Sequence, residues 1–269
     1  MHAHARLRYV IAAVGMAVVA SGCREGNEGA ANLLPTLRVE RIQFSDKNPA
    51  PFRALAERPL LDRAMAGQQD TLDRWIAGLV AFGNYDEPNV HSVLSTILEK
   101  WRERYAKAER ENAEYLHHWY FDLRGRIAFA DEAYLAYKVR LEEDEGGVHP
   151  FLTYRWSVWD FNRKRELTVD DIFKREAMSA VVDLVKSDMA WEQGCTNFTQ
   201  YSSERCIEDF EELPKNFTID ERGIEFLFNA YEIACGAFGD IRGRLWWESL
   251  TSYIRSDFIP PQSTTKKGQ

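Results

Sequence analysis

Phe217-Thr218-Ile219-Asp220-Glu221-Arg222-Gly223-Ile224-Glu225-Phe226-Leu227-Phe228 is two strands around a polar turn. Aromatic and β-branched residues fill both arms, which suits a pleated, half-buried surface, and Asp-Glu-Arg-Gly between them supplies the turn. The same grammar runs upstream. Residues 152–161 alternate, with Tyr154, Trp156 and Val158 on one face and Arg155, Ser157 and Trp159 on the other. Residues 37–44, 119–123, 127–129 and 134–141 also read as strands. Helical spacing appears at Leu61, Met65, Leu72, Ile76 and Leu79, again at Val90, Val93, Leu94, Ile97, Leu98, Trp101 and Tyr105, and over 177–189. Gly83-Asn84 and Pro88 separate the first two of these stretches. Helices early and hairpins late predict an α+β fold, a mainly antiparallel sheet with helices packed on one side. Fifteen Phe, eleven Tyr and eight Trp supply ample apolar surface for its core.

At the other end of the chain, Arg6 and Arg8 precede an apolar run, residues 9–20, that closes on Ala20-Ser21-Gly22-Cys23. The run is shorter than the roughly 20 apolar residues a bilayer span requires. It resembles a bacterial lipobox, which implies a signal peptide over 1–22, acylation at Cys23 and a membrane anchor through that residue. Residues 23–35, rich in Gly, Ala, Asn and Glu, then read as a flexible tether and 259–269 as a disordered tail. Arg24 stands where aspartate marks inner-membrane retention, so in a two-membrane bacterium the resemblance implies the outer membrane. Loss of residues 1–22, which carry two arginines and no acid, takes the formal charge from −8 to −10. That balance disfavours nucleic acid as a partner and favours a basic one.

Cys195 and Cys206 flank the polar stretch Asn197-Phe198-Thr199-Gln200-Tyr201-Ser202-Ser203, read as an exposed loop, and are the natural disulfide pair in an oxidising compartment. Cys235, among apolar and small residues, reads as a small buried thiol. No metal or cofactor is expected. His117 and His118 are adjacent, so on a strand they point to opposite faces. Asp160 and Asn162 could open a calcium loop, but Lys164 sits at a ligand position and Arg165 replaces the glycine such a turn needs. Thr168 or Asp170 reads as a helix cap. His149 reads as a loop histidine bonded to backbone, and Glu232 as a buried carboxylate bonded to backbone N–H groups. The sequence holds no Gly-x-Ser-x-Gly, His-Glu-x-x-His, Ser-x-x-Lys or phosphate-binding glycine loop. A glycan hydrolase or transferase using paired carboxylates stays open, since such pairs need no short motif.

Four segments in the second half occur in a telling order. They are Gly146-Gly147-Val148-His149-Pro150; Trp159-Asp160-Phe161-Asn162 running to Leu167-Thr168-Val169-Asp170-Asp171-Ile172-Phe173; the 217–228 hairpin; and Ala230-Tyr231-Glu232-Ile233-Ala234-Cys235-Gly236-Ala237-Phe238-Gly239. Together they resemble the extracytoplasmic domain family shared by the lysozyme-sensing anti-sigma factor RsiV and the peptidoglycan deacetylase PdaC. The likeness is good over 146–250 and faint over 37–145, so 36–145 and 146–258 are expected as two parts of one such domain. Lys164-Arg165 stands where the family tends to place Gly. No apolar run long enough to span a bilayer follows the signal, and no polysaccharide-deacetylase region is present. The resemblance therefore implies an envelope binding or sensing protein whose ligand is lysozyme or peptidoglycan. Trp159, Tyr231 and Trp247, in or beside the resembling segments, are the ligand-binding candidates.

Overall fold

A computed structural model describes residues 37–47, 51–62, 65–111 and 116–261; the signal segment 1–22, Cys23, the tether 23–35 and most of the expected tail lie outside the described residues. Of the tail, residues 259–261 are described, and the Ile259 carbonyl accepts a hydrogen bond from the Tyr134 hydroxyl at 3.1 Å.

The fold is α+β. Strands β1 (Arg38–Asp46) and β2 (Phe52–Leu60) pair antiparallel from Arg38↔Leu60 to Asp46↔Phe52. β2 then runs parallel to β3 (Tyr120–Ala130). A parallel neighbour requires a crossover of a dozen or more residues, and helices α1 (Gln69–Val80) and α2 (Val90–Arg110) provide it. With β4 (Tyr134–Asp144), β5 (Phe151–Asp160) and β6 (Arg165–Glu166) the sheet has the order β1-β2-β3-β4-β5-β6. A second, antiparallel sheet is built from β7 (Phe217–Ile219), β8 (Gly223–Phe228) and β9 (Ile241–Trp246). The hairpin quoted above is its β7 and β8.

The chain divides into two compact units, Met1–Arg126 with Leu141–Phe151 and Ile127–Arg140 with Leu152–Gln269. In the first, α1 buries Leu72, Ile76 and Leu79, and α2 buries Val93, Leu94, Ile97 and Trp101. Asn89 caps α2, its Oδ1 accepting the Ser92 N–H at 3.0 Å. Helix α1 starts later than its apolar spacing suggests: Leu61 follows β2, and a 3-10 turn over Ala66–Gln68 intervenes. β2 itself carries no strand signal. Its inward Ala54 and Ala56 are poor strand formers and it contains Pro59, so pairing with β1 and β3, not propensity, makes it a strand.

The second unit adds α3 (Val169–Ile172), α4 (Met178–Glu192), α5 (Phe198–Arg205) and α6 (Trp247–Leu250). Val181, Val185 and Met189 of α4 share one core with Ile224, Phe226, Leu245 and Leu250. The helix reaches β9 closely at Gly243, where an added Cβ would stand 2.9 Å from Val185 Cγ1. Two asparagine side chains stand in for strand backbone against β5. Asn229 Oδ1 accepts the Tyr154 N–H at 2.7 Å while its Nδ2 donates to the Tyr154 carbonyl at 3.1 Å, and Asn216 Oδ1 accepts the Trp156 N–H at 3.0 Å.

One local expectation changes and others are met. The stretch between Cys195 and Cys206 is not a loop: it forms α5, because Asn197 Oδ1 caps Gln200 N at 2.9 Å and Tyr201 packs into the core. Asp160 closes its own turn, accepting the N–H groups of Asn162 and Arg163 at 2.8 and 2.9 Å and pairing with the Arg163 guanidinium at 3.0 Å. Lys164 takes φ +55° there, the left-handed conformation that glycine adopts without strain. Thr168 is the N-cap of α3, with its N–H and hydroxyl both bonded to Asp171 Oδ2 at 2.9 and 2.7 Å.

Candidate functional site

Period-two alternation along β9 sends Ile241, Gly243 and Leu245 inward and Arg242 and Trp246 outward. On α4, the buried stripe through Val181, Val185 and Met189 leaves Trp191 off its edge. The two elements thus carry two exposed indoles, Trp191 at 79% and Trp246 at 49% exposure. They flank a hollow of about 440 Å³ whose polar walls are Ser187, Asp188, Thr196, Asn197 and Ser249. An aromatic side chain can bury about 150–250 Å². At roughly 25 cal/mol per Å² of apolar surface, leaving that share of Trp191 in water forgoes on the order of 3–5 kcal/mol of burial.

A hydrogen-bond chain underlies the hollow. Asp188 Oδ2 accepts the Arg244 backbone N–H at 2.6 Å, tying α4 to β9. The Arg244 guanidinium spans both oxygens of Asp220 at 2.7 and 2.6 Å and lies 5.1 Å from the Trp246 ring centroid. Asp220 also accepts the Arg222 and Gly223 N–H groups at 2.8 and 3.0 Å, and its carbonyl accepts the Trp247 indole N–H at 2.8 Å. Burial pushes the Asp220 carboxyl up, but the Arg244 guanidinium and the two turn N–H groups outweigh it and hold the group below its usual range. Asp188 moves the other way. Burial and the nearby Glu192 charge raise it against the opposing pull of the Arg244 N–H.

A second hollow of about 460 Å³ shares Asp188 and Arg244 and continues past Glu192, Arg205, Glu225, Phe238 and Arg242. Most of its charges are already paired: Glu225 with Lys138 at 3.0 Å, and Asp240 with Arg242 at 2.7 Å. Lys138 also sits 3.7 Å from the Trp156 ring centroid, a cation over an aromatic face.

The first unit holds a larger cavity, about 610 Å³, between β1, Arg58, α1 and Pro88–His91. Its central cation is committed to structure. Arg58 bonds Asp73 through Nε at 2.9 Å and Glu40 through Nη1 at 2.9 Å, and these carboxylates raise its pKa further. Among the described residues no group of three or more His, Cys, Asp or Glu is placed to hold a metal ion, and no helix is long and apolar enough to cross a membrane.

Of the residues singled out from sequence, Trp159 (3% exposed) and Trp247 (9%) are buried, and only Tyr231 (63%) offers surface. At its end β5 is covered on both faces, so alternation cannot expose Trp159. The outward member of the Trp246-Trp247 pair is Trp246, and Trp191 was not anticipated. Cys195, Cys206 and Cys235 are free thiols: Cys195 is buried, while Cys206 and Cys235 are exposed, Cys235 lying in the turn-rich segment after β8 rather than in the core. Cys195 Sγ sits 3.8 Å from Glu204 Oε2, and burial, then that carboxylate, push its thiol up. Glu232 is exposed, not buried, yet it does accept a backbone N–H, that of Asn229, at 2.9 Å. His149 Nδ1 lies 3.1 Å from the Pro150 carbonyl.

All the walls of the hollow flanked by Trp191 and Trp246 except Ser249 fall within a recognisable segment. Residues 170–248 match the family model described as Protein of unknown function (DUF3298). Two solved structures share the fold. A DUF3298 member from Bacteroides fragilis NCTC 9343 superposes with a TM-score of 0.72 at 18% identity, covering 83% of this chain and 95% of that one. A DUF3298 family protein from Pseudomonas aeruginosa PAO1 gives 0.59 at 11% identity, covering 84% and 98%. No curated protein matches the chain. The DUF3298 match covers less than a third of the chain, and at these identities the structural likenesses speak for fold alone.

Proposed function

We propose that the protein is a lipid-anchored cell-envelope binding or sensing protein whose second unit holds a glycan segment of peptidoglycan between Trp191 and Trp246. The observation that carries this reading is a pair of exposed indoles beside one hollow walled by hydroxyl, amide and carboxyl groups. The C–H face of a pyranose is weakly positive and fits the negative face of an indole. Sugar hydroxyls can donate to the Asp188 carboxylate and to the Ser187 and Ser249 hydroxyl oxygens, whose own protons go to the Asp183 and Trp246 carbonyls. The resemblance to the RsiV and PdaC domain supports an envelope ligand, and the DUF3298 match covers both indoles and all of this hollow's lining except Ser249. Sedimentation with purified insoluble peptidoglycan tests the reading: the protein co-sediments, and an excess of soluble glycan fragments releases it. Recovery in the supernatant, combined with capture by immobilised lysozyme at low but not high salt, would instead assign the acidic surface to a basic protein partner.

A second reading draws on the raised carboxyl of Asp188, one turn from Glu192 on α4. A carboxyl whose pKa burial raises is the kind of group that can protonate the leaving oxygen of a glycosidic bond. Release of reducing ends from peptidoglycan that stops in Asp188→Asn would favour catalysis over binding.

The anchor is tested separately. Cys23→Ser removes the acylation site, and the protein is then expected to leave the membrane fraction for the soluble extracytoplasmic one. Unchanged membrane recovery in that variant excludes a lipid anchor at Cys23.

A further inference from the structure

We propose that Cys206 and Cys235 form a disulfide-forming pair, a modification site that clamps α5 to the segment after β8. Neither the expected pairing of Cys195 with Cys206 nor spacing along the chain suggests it; it comes from register. Ile207 and Ala234 form an isolated antiparallel bridge, and the Glu208 N–H donates to the Ile233 carbonyl at 2.6 Å. With that bond on one side of the bridge, the next pair on the other side is Cys206 opposite Cys235. Cys206 is the left-handed C-cap of α5 (φ +50°) and Cys235 is extended, so the two flank an isolated bridge and do not continue a ladder; residues flanking such a bridge have Cα atoms on the order of 5–6 Å apart, within the roughly 4.4–6.8 Å that a disulfide spans. Both thiols are exposed and therefore open to an oxidant, whereas Cys195 is buried against Glu204.

The chemistry is thiol–disulfide exchange with a disulfide-bearing oxidant such as glutathione disulfide. The thiolate of one cysteine, released by loss of its proton to solvent, attacks the oxidant disulfide and expels one glutathione thiolate. The second cysteine thiolate then attacks the protein sulfur of the mixed disulfide and expels the other. Two protein thiols are oxidised to one disulfide, one glutathione disulfide is reduced to two thiols, and the protons end on them.

The clamp has a place in the site. Arg205, next to Cys206, lies 5.6 Å from the Phe238 ring centroid, and both residues line the hollow that shares Asp188 and Arg244. Oxidation adds a covalent tie at that rim to the bridge and the Glu208–Ile233 hydrogen bond that hold the segment while the thiols are free.

The test uses the full chain in detergent, incubated with glutathione disulfide, alkylated and mapped by mass spectrometry without reduction. The expected result is one peptide pair linking Cys206 to Cys235, unchanged in Cys195→Ser and absent in Cys235→Ser, where Cys206 becomes fully alkylated. Complete alkylation of both Cys206 and Cys235 in the oxidised wild type, or a crosslink containing Cys195, would overturn the proposal. The result is independent of whether the hollow binds glycan.

Discussion

Gly223→Ala is expected to destabilise the second unit by about 3 kcal/mol or more, beyond the usual range for overpacking, because the obstacle is backbone. Gly223 opens β8 opposite Trp246, and a Cβ there would stand 2.1 Å from the Leu245 carbonyl oxygen. Neither partner can rotate away: the carbonyl belongs to β9, which α4 covers from behind. Gly236→Ala is the control. Its Cβ would fall 2.0 Å from the Tyr231 ring, an equally severe overlap, but with an exposed side chain that can swing into solvent. That variant is expected to cost no more than about 1 kcal/mol. Urea unfolding of the two variants side by side checks the contrast; equal losses would mean that β8 and β9 can separate at Gly223 without penalty.

Asp220→Ala is expected to cost about 2 kcal/mol at neutral pH. It removes a carboxylate that serves two turn N–H groups and the Arg244 guanidinium, and leaves Arg244, whose buried Nε has no partner among the described residues, without its main counter-charge. The figure is set below that for a fully buried pair because both side chains keep about a quarter of their surface in water, at 25% and 23%. pH gives an independent signature. The folded-state pKa of Asp220 lies below the unfolded value of about 3.9, so its contribution is complete above that value and is lost as pH falls through the folded pKa. The stability gap between wild type and Asp220→Ala should therefore be constant from neutral pH down to about 5 and narrow at more acid pH. A gap that persists undiminished to the acid end would show that packing, not charge, accounts for the loss.

The hairpin of β7 and β8 was legible because its two arms and its turn follow local rules, and Asp220 acts as turns of this kind require. β2 was not, since Ala54, Ala56 and Pro59 become strand only through neighbours on both sides. α5 could have been read: Asn197 is a good cap, and Phe198 and Tyr201 recur at helical spacing, but the surrounding Ser and Thr residues suggested a loop. The site divides in the same way. Parity along β9 was sufficient to choose Trp246 over Trp247 as the outward residue once Ile241 and Leu245 were taken as the inward face. Trp191 could have been placed by noticing that it leaves the Val181–Val185–Met189 stripe. Burial of Trp159 could not be read from one strand, because a second layer covers its other face. The opposition of Cys206 and Cys235 depends on a bridge between segments some thirty residues apart, and only the folded chain brings them together.

The glycan reading rests on Trp191 more than on any other residue, since it is exposed and its removal leaves the core intact. The decisive measurement is calorimetric titration of soluble peptidoglycan fragments into wild type, Trp191→Ala and Trp246→Ala, each first shown to unfold at the wild-type temperature. Loss of a stacking indole is expected to weaken binding by about tenfold or more, which corresponds to roughly 1.4 kcal/mol. Tenfold weaker binding in Trp191→Ala, with a loss in the same direction in Trp246→Ala, is the predicted result. Wild-type affinity in both variants, or no heat of binding in the wild type, would contradict it.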